Sequence, residues 1–215
     1  MSRRRLGWML LVFCLTLLAG LPARWLFKAA PWPAQDVAGS VWQGQAGRIG
    51  DVGPLSWQVR PWAVQVQAGY QGQRWGLVLR GWPWDWQASV MPQGPASRVA
   101  SAYRLGGEWS GQLALSGRGA RCVSGQGALV ADQLNLVAPW TLALGRGEVR
   151  VVCNDGWRLS ARLAAAGQHH LALDAGVAGG TLQGQVGQGA ALYPVLVGGQ
   201  WLQAGEHAGR WSFNW

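Results

Sequence analysis

The stretch Trp62-Ala63-Val64-Gln65-Val66-Gln67-Ala68 alternates with a period of two. Trp62, Val64, Val66 and Ala68 fall on one face of an extended chain, and Ala63, Gln65 and Gln67 fall on the other. The segment therefore reads as a strand with one apolar face and one neutral, amide-rich face. The same alternation recurs in Gln112-Leu113-Ala114-Leu115-Ser116 and in the seven residues that follow Gly156, Trp-Arg-Leu-Ser-Ala-Arg-Leu. Glycine punctuates these stretches as it does where antiparallel strands meet at tight turns. Strands are predicted near 40–48, 55–60, 62–70, 73–80, 84–91, 107–117, 121–131, 140–153, 156–166, 169–176, 179–188, 195–203 and 208–214, with no sustained helical period after residue 30. Residues 92–105 break the pattern with Pro92, Gly94 and Pro95 and read as a loop or a short helix. The expected fold is mainly β: an N-terminal transmembrane helix, then one large, curved antiparallel sheet, folded over on itself or left as an open groove.

Composition agrees. The 215 residues include 33 Gly and 16 Trp, and only 13% are charged. Gly-rich sequence disfavours long helices, whereas Trp and Val suit a half-buried pleated surface. A loose echo, Gly39-Ser-Val-Trp-Gln-Gly-Gln-Ala46, Gly106-Gly-Glu-Trp-Ser-Gly-Gln-Leu113 and Gly180-Thr-Leu-Gln-Gly-Gln-Val186, fits a repeated strand bend, and its irregular spacing excludes a solenoid.

The formal charge of +9 dissolves on inspection. Five of the 18 basic residues, Arg3, Arg4, Arg5, Arg24 and Lys28, lie in residues 1–28, leaving 13 Arg against 9 acids, a net +4. Those arginines are scattered singly, so no basic run tracks a phosphate backbone and nucleic acid is not an expected partner.

Residues Leu6 to Phe27 are apolar enough, behind Arg3–Arg5, to predict a single span with its N-terminus cytoplasmic. The organisation expected is a cytoplasmic start and anchor over 1–28, a Pro-containing linker over 29–38 and one periplasmic β domain over 39–215. Leu18-Ala19-Gly20 also resembles a signal-peptide processing site. Both alternatives export the remainder.

Cys14 lies in the apolar span. Cys122 and Cys153 sit in alternating segments without CxxC spacing, which in an exported chain favours a disulfide over a metal site, with two buried thiols as the alternative. Such a bridge adds about 3 kcal/mol in the chain-entropy model.

Catalytic chemistry finds no foothold in the pattern. His169 and His170 point to opposite faces of a strand, and His207 stands alone. The acids are isolated and turn-like, as in Asn154-Asp155-Gly156, and no nucleophile elbow, phosphate loop or dinucleotide fingerprint occurs. No enzyme activity, cofactor or metal is expected. Trp75, Trp82, Trp84 and Trp86 are crowded, and the last three share one side if the stretch is extended. They form a candidate interaction surface for lipid, sugar or protein, with plain core as the competing reading.

Leu21-Pro-Ala-Arg24, Gly39–Ala46 and Gly53-Pro-Leu-Ser-Trp-Gln-Val-Arg60, with the paired Cys122 and Cys153, resemble the N component of the type II secretion system, the GspN family. The resemblance covers the first third of the chain by motif and the rest by style. High Trp and Arg with one Lys depart from typical members. It implies a bitopic inner-membrane accessory of the machine that carries folded proteins across the outer membrane, with platform components as partners. The rival expectation is a lipid carrier with an AsmA-like apolar groove. A glycan reader is a weaker third, because no acids and amides cluster beside the Trp row.

Overall fold

The computed structural model describes residues 3–29, 33–95, 103–153 and 156–215. Helices α1 (Arg3–Ala19) and α2 (Ala23–Ala29) open the chain. Then come β1 (Ala34–Gln35), β2 (Ala38–Gly39), β3 (Gln43–Ala46), β4 (Arg48–Ile49), β5 (Leu55–Arg60), β6 (Ala63–Tyr70), β7 (Gln73–Trp82) and β8 (Asp85–Pro95). The second half carries β9 (Arg104–Gly106), β10 (Ser110–Arg118), β11 (Arg121–Ala138), β12 (Leu142–Cys153), β13 (Trp157–Ala165), β14 (His169–Gly176), β15 (Gly179–Val186), α3 (Tyr193–Gly198) and β16 (Ala208–Asn214). The fold is mainly β. Among the described residues, apart from the β1–β4 ribbon, the strands make one 14-stranded antiparallel sheet that runs from β2 to β16 in chain order without closing, with β9 beside the last residues of β11.

Register carries the period of two through the whole sheet. Val66 faces Trp57 and Leu77, Leu77 faces Val90, and Val90 faces Leu113, so apolar residues meet strand after strand on one face. Beyond them the row resumes with Val149, Ala161 and Leu173. At the described paired positions of β5–β8 and β12–β15 that face carries no charged residue. The other face holds pairs such as Gln58 with Gln65, Arg80 with Gln87, Ser116 with Ser124 and Asp174 with Thr181. A one-residue slip would exchange the faces, so the pattern fixes the register.

Glycine shapes the apolar face. A Cβ at Gly44 would strike the Trp57 ring, and one at Gly117 would strike the Trp86 ring. A bare backbone there lets a neighbouring indole lie across the strand, which explains glycines inside strands.

The core is correspondingly thin. Leu113, Leu129, Leu134 and Leu142 are buried along the sheet, and Val186, Ala190 and Leu202 form a second cluster under Tyr193, Leu196, Val197 and Trp211. That cluster corrects one expectation: 195–203 is not a strand but α3 and its exit. Pro194 opens the helix, where its missing N–H costs nothing, and Gly199 and Trp201 close it by donating to the Val195 and Leu196 carbonyls. β9 was also unexpected. Residues 96–102 of the pattern-breaking segment, 30–32 of the linker and the Asn154–Asp155 turn lie outside the described residues.

The continuous span expected from Leu6 to Phe27 is interrupted. α1 is 17 residues long, about 25 Å at 1.5 Å per residue against a hydrocarbon core of about 30 Å. Among the described residues no helix is long and apolar enough to cross a membrane. Pro22 cannot continue the helical ladder, and the chain turns instead to the sheet, where Pro22 bridges Ser40 and the Leu21 carbonyl accepts from Val41 N–H.

Candidate interaction site

The three stretches that carry the family resemblance meet at the β2 edge. Gly44 pairs with Trp57, and the Trp57 indole Nε1–H donates to the Ser40 and Val41 carbonyls at 3.2 Å each. Phe27 of α2 packs on the Trp57 ring with centroids 5.7 Å apart, while Ala23 is buried. Trp57 thus joins helix, turn and sheet through one side chain. Sequence pattern placed it in a strand but gave no sign of this joint.

The expected Trp row divides. Trp82 and Asp85 close the β7–β8 hairpin around Pro83 and Trp84, so alternation does not run through the stretch. Trp82 and Trp84 are exposed at the tip and stacked, with centroids 5.3 Å apart and planes 3° from parallel. Trp86 lies on the apolar face, its Nε1–H donating to the Gly119 carbonyl at 2.9 Å. Trp75 also lies there, against Trp109 with centroids 6.4 Å apart.

Trp75 and Trp109 wall a cavity of about 180 Å³ together with Tyr70, Leu129, Leu134 and Val149. Its walls come from β7 and β12, which are four strand positions apart, or about 19 Å in a flat sheet. The sheet therefore curls toward its apolar face here. The Trp75 Nε1 atom is buried with no acceptor among the described residues. Two side-chain amides, missed from sequence, hold the wall. Gln73 accepts from Trp109 N–H at 2.9 Å and donates to its carbonyl at 2.8 Å. Gln71 accepts from Leu105 N–H at 2.8 Å and donates to the Tyr103 carbonyl at 3.2 Å. Each amide substitutes for a strand partner along 103–109, the sort of pairing a buried backbone requires.

Twist hollows the polar face as well. Shallow concavities of about 650 and 600 Å³ lie over Arg80, Gln87, Ser89 and Gln126, and over Gln43, Gln45, Gln65 and Gln67.

Cys122 and Cys153 form the disulfide, with Cα atoms 5.6 Å apart, linking the start of β11 to the end of β12. Cys14 is free and exposed on α1. His169 is buried, with Nε2 3.0 Å from the Leu144 carbonyl, and His207 packs on the Tyr193 ring at 5.2 Å. Asp132 pairs with Arg146 at 3.3 Å and Glu148 pairs with Arg150, both at the surface. No family model, curated protein or solved structure matches the chain.

Proposed function

We propose that the chain is a non-enzymatic accessory of the type II secretion system. In this reading its leader holds it at the inner membrane with the N-terminus cytoplasmic, and the β sheet lies in the periplasm as a docking platform. The observation that carries this is the joint at Trp57, where the motifs that resemble the N component pack as one unit that ties leader to sheet. A 17-residue helix is a few residues short for a bilayer, and local thinning or snorkelling of flanking side chains accommodates such mismatch at modest cost. β16, at the end of the sheet away from the leader, offers a seven-residue edge for a partner strand from a platform component. Deleting the gene is expected to lower secretion of folded exoproteins or the level of a platform component. Unchanged secretion together with unchanged partner levels overturns the reading.

A second reading has its own support. Part of the apolar face is open, with Leu77 and Leu79 exposed, and where residues 103–109 close over Trp75 it contains an apolar cavity with one N–H donor, at Trp75, that has no acceptor among the described residues. An acyl chain bearing an ester carbonyl suits both features. On this reading mass spectrometry of the full chain, extracted in detergent and washed, finds stoichiometric phospholipid or fatty acid. A lipid-free protein removes it.

A further inference from the structure

The hairpins of the sheet turn at two rims, and these rims differ in chemistry. At one lie the turns β2–β3, β5–β6, β7–β8, β10–β11, β12–β13 and β14–β15, together with the end of β16. Trp42, Trp62, Trp82, Trp84, Trp157 and Trp215 occupy this rim with 38% to 66% of their surface exposed. Exposed Val123, Val152 and Val177 stand between them. Rings pair along the rim, Trp82 on Trp84 and Trp157 on Trp215. Large indoles held outward at turn tips lose contacts in water that they recover at a headgroup boundary, where an apolar body and a polar N–H are both accommodated.

Charge leans the same way, less sharply. Among the described residues within two positions of the closing pairs of these turns stand Arg60, Arg80, Arg118, Arg121 and Arg158, against Asp85 and Asp174, while Asp155 of the β12–β13 connection lies outside the described residues. The opposite rim mixes signs: it holds Asp36, Asp51, Glu108, Asp132 and Glu206, but also Arg48 paired with Asp51, Arg146 paired with Asp132, Arg74 at the start of β7 and Arg104 at the start of β9. It also exposes Tyr70, Tyr103, Trp140 and Trp201, so the exposed rings there include two indoles against six on the first rim. The leader departs from the rim that carries the six exposed tryptophans, because Leu21 and Pro22 are bonded to Val41 and Ser40 at the β2–β3 turn.

We propose that this rim of hairpin tips rests on the membrane surface, with its tryptophans at headgroup level and its arginines against anionic phospholipid. The inference builds on the leader being the anchor. It adds a second contact that stands the strands off the bilayer and brings the apolar face down to the lipid.

The full chain is reconstituted in vesicles of phosphatidylethanolamine and phosphatidylglycerol with brominated acyl chains, and the quenched share of tryptophan emission is read after flotation. Trp62→Ser/Trp84→Ser/Trp215→Ser is expected to lose part of the quenched emission, and Trp140→Ser/Trp201→Ser to lose none. Arg118→Glu/Arg121→Glu, which leaves every ring in place, is expected to lose quenching on anionic vesicles at low salt and not on zwitterionic ones. If the chain floats but both rim variants quench like wild type, the rim does not touch lipid and a protein partner takes its place. If the chain does not float, the anchor itself fails and the rim contact with it.

Discussion

Replacing Trp57 with alanine is expected to lower stability by about 3 kcal/mol and to free the leader from the sheet edge. Three contacts end together. The ring leaves Gly44 uncovered, because no Cβ fills that space. Phe27 loses the surface it packs on. The Ser40 and Val41 carbonyls lose their shared donor. Trp57→Phe keeps a ring over glycine and gives up only the N–H, so its loss should be nearer 1 kcal/mol. Urea unfolding reads the stability, and limited proteolysis across residues 21–40 reads the release of the leader. Equal losses in both variants would mean that the hydrogen bonds dominate. A stable alanine variant with an uncut leader would mean that the joint is not where leader and sheet are tied.

How far this architecture is visible in the sequence depends on the range of the force that sets each part. Alternation is local, so strands at 55–60, 169–176 and 208–214 end where the pattern ends. α3 is hidden because Val195-Leu196-Val197 reads as a strand until Pro194 and the packing of Leu202 against Val186 are included. β9 is three residues long and exists through β11 and the Gln71 amide, more than thirty positions upstream. Alternation also says which face is oily but not whether anything lies on it. The tryptophans at 82, 84 and 86 share a parity that a two-residue turn breaks, so their division between tip and face appears only once the hairpin is built. The joint and the rim are likewise products of topology: residues from 42 to 215 line up because consecutive strands turn at the same two heights.

The second large effect falls on the disulfide. Cys122→Ala/Cys153→Ala is expected to cost about 3 kcal/mol, since the bridge closes a 31-residue separation and removes that freedom from the unfolded chain. The native state is little changed by the substitution, because Gly125 already pairs with Cys153 across β11 and β12 and the ladder holds the strands at that distance. Alanine is preferred to serine because Cys153 is buried, and a hydroxyl there adds a desolvation cost unrelated to the cross-link. A reductant titration separates the causes. Wild type in reductant should fall to the variant's midpoint, and the variant should not respond. A thin single-layer core makes the effect consequential, because a few kcal/mol is a large share of the stability of a domain this size. The same comparison tests the compartment: a chain retained in a reducing cytosol should carry both thiols free and unfold like the double variant, whereas an exported chain should keep the full increment. An oxidised wild type no more stable than the variant would mean that the ladder, not the bridge, fixes these strands.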